Sequence, residues 1–254
     1  MLVEVLDDYE TLSARAAEIV THQIRHEPTS VLGFATGSTP IGLYERLIEN
    51  HTERGLDFSK ITTFNLDEYV DLPPEHDQSY HHYMWSNLFD HVNVNPSRVF
   101  IPHGMTDDVA HHCRWYERQI EAAGGIDLQI LGIGANGHLA FNEPGSSLGS
   151  RTRIKTLTEK TVRDNARFFD DPDNVPEYAI TMGIGTIMDA DTLLLVASGE
   201  RKAEAIKATL EGPITAMCPA SMVQLHPDAH ILVDQEAAGA LDYRHRHGVA
   251  EPKD

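Results

Sequence analysis

The sequence predicts an α/β fold, a single domain whose mostly parallel sheet is sandwiched by helices. Three observations predict it. Short β-branched and aliphatic runs recur along the 254 residues. They are apolar throughout instead of alternating, as parallel strands covered on both faces are. Segments with helical apolar spacing separate them, which is the order of an α/β chain. The strand runs are residues 30–35, 61–66, 128–133, 192–197 and 230–233. Residues 9–25 set Leu12, Ala16, Ile19, Val20 and Ile24 near one helical face. Ile41, Tyr44, Leu47 and Ile48 repeat at helical spacing, as do Ala203, Ile206 and Leu210. Residues 1–242 read as the domain, and 243–254, charged and rich in histidine, as a flexible tail.

Composition narrows the function. Lys and Arg number 20 against 39 acidic residues, a formal charge of -19. Nucleic acid and anionic membrane surfaces are therefore poor partners, and an anionic ligand needs a local basic pocket. Two cysteines, Cys113 and Cys218, carry no ligand spacing and fit a reduced, cytoplasmic setting. The N-terminus lacks a signal pattern, and no apolar run nears the about 20 residues of a membrane span.

In such folds ligands collect beyond the carboxyl ends of the strands, and the residues there are chemically rich. Thr36-Gly-Ser-Thr-Pro40 follows the first strong strand and opens a helix. Pro40 suits the first turn and Thr39 an N-cap. The free N–H groups of that turn, the backbone access at Gly37 and the Ser38 hydroxyl would hold an anion. A plain strand-to-helix turn uses the same residue types. The stretch is neither a Walker A loop nor a dinucleotide fingerprint. Arg167 and Lys202 would complete a phosphate clamp, although either alone reads as a solvated charge.

Asp67 and Glu68 stand directly after another strand, as a helix-capping carboxylate or as a general base over a substrate. The run GANGHLAFNEP places His138, the side chain suited to moving protons near neutral pH, beside Asn136 and Glu143. That grouping suggests an Asn–His–Glu relay, against the plain alternative of a turn histidine bonded to backbone. No metal is implied. The pairs His81-His82 and His111-His112 lie on helical stretches, where adjacent side chains diverge.

The motifs GFATGSTPIGLYERL, TFNLDEYVDLP, LGIGANGHLAFNEPGSSLGSRTRIKTLT and CPASMVQLHPDAHILVD resemble those of the glucosamine-6-phosphate deaminase family, over about residues 2–233. The related 6-phosphogluconolactonases share the Rossmann-like fold and the phosphate loop but typically carry a DGHTASLFP-like version of the GxNGHxxFNEP motif, so that Asn142-Glu143-Pro144 is the discriminating feature. The resemblance implies conversion of glucosamine 6-phosphate and water to fructose 6-phosphate and ammonia, without metal or organic cofactor. It implies that His138 moves the proton in ring opening, held by Glu143 and Asn136, and that Asp67 carries the C2 proton to C1. Some members have Asp at the Asn136 position; an amide orients His138 without adding negative charge. Gly37, Ser38, Thr39, Arg167 and Lys202 would grip the phosphate. Residues 157–177 match the family's mobile lid.

Some members are hexamers activated by N-acetylglucosamine 6-phosphate, and Ser146, Ser147, Arg153 and Lys155 match that effector pocket. The C-terminal run LDYRHRHGVAEPKD departs from the allosteric members. A homo-oligomer, a hexamer first, and a small phosphosugar partner are thus the expectations. Two alternatives are a phosphosugar lactonase, opposed by Asn142-Glu143 and Asp67, and a non-catalytic sugar-phosphate sensor. The sensor is opposed by the charge and by the lack of room for a DNA-binding segment before Tyr9.

Overall fold

In the computed structural model, which describes residues 1–157, 175–246 and 249–252, the apolar runs assemble as one parallel sheet. β1 (Leu2–Leu6), β2 (Val31–Phe34), β3 (Thr62–Asn65), β5 (Val99–Phe100), β6 (Leu128–Leu131), β9 (Thr192–Ala197) and β10 (Ala229–Asp234) lie in the order β1-β10-β9-β6-β2-β3-β5. Each neighbouring pair in it is parallel. β2 and β6 are buried at every residue, which is why their sequences show no alternation. The flanking helices include α1 (Tyr9–His26), α2 (Ile41–Arg54), α3 (Tyr80–Asn87) and α4 (Val109–Ala122).

The strand order fixes where a ligand sits. From β2 the chain winds outward through β3 to β5; it then returns to β6, beside β2, and winds the other way through β9 to β10. Order therefore reverses between β2 and β6, and the loops leaving these two strands diverge to open a crevice. One leads into Gly37–Thr39 and the other into Asn136–His138.

Three features differ from the sequence reading. Asp67 and Glu68, read as standing after a strand, also open one of their own. They begin β4 (Asp67–Tyr69), in a separate three-stranded sheet, β4-β8-β7, with β8 (Tyr178–Thr181) and β7 (Arg153–Thr156). Both pairings are antiparallel, with Asp67 opposite Thr181. A three-residue strand paired with a segment more than a hundred residues away leaves no local signal. Residues 243–254, expected as a flexible tail, contain β11 (Tyr243–Arg246) and β12 (Val249–Pro252) in antiparallel register. Thr39 is not the cap of α2. The cap residue is Pro40, without a side-chain hydrogen bond, and the hydroxyl of Tyr9 accepts from Gly42 N–H at 2.8 Å.

β4 is also held from outside. A Cβ on Gly104 would lie 1.8 Å from the Tyr69 carbonyl oxygen, and Asp71 N–H donates to the Gly104 carbonyl at 3.1 Å. Since the obstructing atom is backbone, Gly104→Ala forces the two segments apart and is expected to cost about 1–3 kcal/mol. Urea unfolding of the variant checks this, and an unchanged midpoint would contradict the close approach.

Candidate active site

At the mouth of the crevice lies a cavity of about 420 Å³. Its lining comes from four strand ends: Gly37, Ser38 and Thr39 after β2, Asp67 at the start of β4, Asn136 and His138 after β6, and Lys202 after β9. Glu143, Tyr80 and Phe141 complete the walls. Eight of the nine residues expected to act in catalysis or phosphate binding thus meet in one place. The ninth, Arg167, lies outside the described residues, as does most of the expected lid.

The relay has a determinate hydrogen-bond order. Asn136 Nδ2 donates to Glu143 Oε2 at 2.8 Å, so the carboxylate fixes which end of the amide faces which way. Its Oδ1 is then presented to the imidazole, 2.7 Å from His138 Nδ1. An amide oxygen only accepts, so Nδ1 carries the proton and Nε2 is the basic atom of the neutral ring. Glu143 Oε1, 3.6 Å from Nδ1, favours the imidazolium when the ring takes a second proton. Two features hold this geometry. His138 folds back over Gly134, whose carbonyl accepts from Gly137 N–H and whose N–H donates to the His138 carbonyl. Asn142, fully buried, donates to the Leu139 and Met182 carbonyls at 2.9 and 2.8 Å and closes the tight turn that holds Ala140 at a left-handed φ of 52°.

The two acidic neighbours at the start of β4 divide their work because strand residues alternate in direction. Glu68 turns away from the cavity and caps α3, accepting from Tyr80 N–H and His81 N–H at 2.9 and 2.8 Å. Burial pushes its carboxyl up to about 7, against those backbone donors. Asp67 lines the cavity while 6% exposed. Burial, with the Glu68 charge next to it, raises its carboxyl well above the usual aspartate range. A carboxylate so placed is a stronger base than a solvated one.

Lys202 also lines the cavity, its Nζ donating to the Ile133 carbonyl at 2.6 Å. Burial lowers its affinity for a proton. Among the described residues no ion pair engages it, which leaves its charge for an anion. No N–H of Gly37, Ser38 or Thr39 donates to an acceptor among the described residues. Tyr80 lines the cavity, its hydroxyl 3.2 Å from that of Tyr69; His76 borders a different hollow.

Ser146, Ser147, Arg153 and Lys155 stand apart from the cavity. Arg153 and Lys155 share one face of β7, and the Arg153 guanidinium donates to Asn142 Oδ1 at 2.8 Å. Ser146 is buried with no partner for its hydroxyl among the described residues, and Ser147 is exposed.

The chain is similar to known proteins over most of its length. Residues 7–232 match the model of the glucosamine-6-phosphate isomerases/6-phosphogluconolactonases. Glucosamine-6-phosphate deaminases of Thermoanaerobacter pseudethanolicus and Halothermothrix orenii are each 52% identical over 241 residues, 95% of this chain and 95% and 100% of theirs. A solved monomeric glucosamine-6-phosphate deaminase superposes with a TM-score of 0.91 at 48% identity, covering 94% of this chain and 100% of its own. A 6-phosphogluconolactonase from Trypanosoma brucei shares the fold, with a TM-score of 0.75 at 19% identity over 94% of this chain and 98% of its own. The chain belongs to the glucosamine-6-phosphate isomerase/6-phosphogluconolactonase family.

Proposed function

We propose that the protein is a glucosamine-6-phosphate deaminase, joining aldose–ketose isomerisation to loss of ammonia in amino sugar breakdown. The observation that carries this reading is the convergence of a buried carboxylate, an imidazole relay and an anion loop on one cavity. Curated relatives at about half identity over 95% of the chain bear the same name.

The chemistry follows from the groups present. The substrate phosphate rests on the N–H groups of Gly37–Thr39 and on Lys202, with Arg167 as a further cation, so that C1 and C2 lie at the relay end. His138 Nε2 takes the proton of the anomeric hydroxyl and passes it to the ring oxygen as the C1–O5 bond breaks. The open-chain aldehyde makes the C2 proton acidic. Asp67 removes it, leaving an enolamine across C1 and C2, and returns a proton to C1. The resulting iminium at C2 adds water and expels ammonia, giving the ketose. Atoms balance as amino sugar phosphate plus water in, ketose phosphate plus ammonia out.

Incubation with glucosamine 6-phosphate should release ammonia and fructose 6-phosphate in equal amounts. Hydrolysis of 6-phosphogluconolactone without ammonia release from the amino sugar would favour the lactonase instead. The raised Asp67 carboxyl carries a second expectation. Asp67 works deprotonated, so kcat should fall as pH drops through a value above that of ordinary aspartate. A kcat flat down to pH about 4 would contradict the role.

The same proposal extends to regulation, assembly and setting. Ser146, Ser147, Arg153 and Lys155 form a second phosphosugar pocket; an effector there would meet the guanidinium that steadies Asn142, next to Glu143. A rate curve unmoved by N-acetylglucosamine 6-phosphate would exclude it. The homo-oligomer expectation, hexamer first, stands against the relative described as monomeric, and equilibrium sedimentation separates six chains from one. Two buried free cysteines support a reduced, cytoplasmic setting.

A further inference from the structure

A loop that grips an anion must turn its N–H groups in and its carbonyls out, because a carbonyl oxygen facing the cavity repels the ligand. The N–H and C=O of one trans peptide point in opposite directions. Anchoring the carbonyl of residue i outward therefore directs the N–H of residue i+1 inward. In this protein the anchors are tyrosine hydroxyls. Tyr83 Oη on α3 donates to the Gly37 carbonyl at 2.6 Å. Tyr9 Oη on α1 lies 3.3 Å from the Ser38 carbonyl and 3.0 Å from that of Thr39. Tyr44 Oη on α2 donates to the Ala35 carbonyl at 2.5 Å.

We infer that Tyr83 and Tyr9 are positioning residues for the anion grip: Tyr83 holds the Gly37 carbonyl outward so that the Ser38 N–H faces the ligand, and Tyr9 pins the far end of the loop through the Thr39 carbonyl at 3.0 Å, with the Ser38 carbonyl at 3.3 Å, and so steadies the Thr39 N–H. This rests on the phosphate reading of the loop. Gly37, at a φ of 97°, is free to flip its peptide, and no Cβ contact within 4 Å would confine it. The tyrosines supply the restraint that the loop's own sequence lacks. The device is built from both sides of α2. Gly42 has room for the Tyr9 hydroxyl because it carries no Cβ; one placed there would come within 3.0 Å of that oxygen and 2.5 Å of Ser13 Oγ. Burial raises the Tyr83 phenol above its ordinary pKa, so it remains an O–H donor across the working range of pH.

The test is calorimetric titration of the whole protein with inorganic phosphate, for wild type, Tyr9→Phe, Tyr83→Phe and the double variant, alongside kcat and KM for the amino sugar phosphate. Each single change should weaken phosphate about fivefold and the double change more than tenfold, in line with the usual worth of one hydrogen bond. KM should rise in parallel while kcat stays within about twofold. A role in packing alone would lower the melting temperature without moving phosphate affinity, and that result overturns the inference. So does a fall in kcat at constant KM. If the double variant does not fold, the single variants decide. Failure of the wild type to bind phosphate would overturn the anion reading of the loop itself, whereas binding that the variants leave unchanged removes only the role of the tyrosines.

Discussion

Asp67→Asn is expected to lower kcat by about 10²–10⁴-fold while leaving KM within a few-fold. The side chains are nearly the same size, so the buried start of β4 keeps its packing. What is lost is the ability to take a proton. The amide also removes an ionisable group from beside Glu68, so the variant should not be less stable than wild type near neutral pH. That split separates chemistry from structure: a melting temperature at or above wild type, with turnover nearly gone, is the expected pair. Ring opening depends on His138 and should survive, so the variant still interconverts the anomers of bound sugar. Full turnover by Asp67→Asn would end the role assigned to this carboxylate.

Gly134→Ala is expected to cost about 10²-fold in kcat, although residue 134 has no functional group. A Cβ there would lie 2.1 Å from His138 Cε1 and 2.3 Å from Nδ1, so the ring must leave its place. Moving the ring breaks its 2.7 Å contact with Asn136 Oδ1, and with it the hold on the tautomer. His138→Gln should show a loss of the same order, since both changes remove a correctly presented Nε2. The two changes combined should then cost little more than either alone, because they disable one unit. A Gly134→Ala variant with wild-type kcat would mean that the ring tolerates displacement, and the relay would not be the proton path.

Much of the fold was legible for a simple reason. β2, β6 and β9 are buried on both faces, so burial appears directly as unbroken apolar sequence, and the reversal point of a parallel sheet does the rest. The hydrogen-bonded grouping of Asn136, His138 and Glu143 was legible because its parts lie within eight residues of one another. What stayed hidden is long-range. β4 exists through pairing with Tyr178–Thr181, and the sorting of Asp67 from Glu68 follows from that pairing. Lys202, expected in the phosphate clamp although alone it reads as a solvated charge, lines the cavity with its Nζ on the Ile133 carbonyl, a contact its local sequence does not announce. The Tyr9 and Tyr83 hydroxyls reach the loop from α1 and α3, 30 or more residues away in most of these contacts. An aromatic on a helix carries no local mark of what its hydroxyl will touch. The strands at residues 243–252 were missed because charged, histidine-rich sequence lacks the apolar alternation by which hairpins are recognised.

Activity of this kind needs an anion grip, a carboxylate base and an imidazole relay in that order along one bound sugar. A crystal structure with the open-chain amino alditol phosphate of the substrate tests it most directly. The phosphate is expected on Gly37–Thr39 and Lys202, C2 in van der Waals contact with the Asp67 carboxyl, and the C5 hydroxyl within hydrogen-bond reach of His138. Density with the phosphate at the His138 end, or with C2 turned away from Asp67, would contradict it.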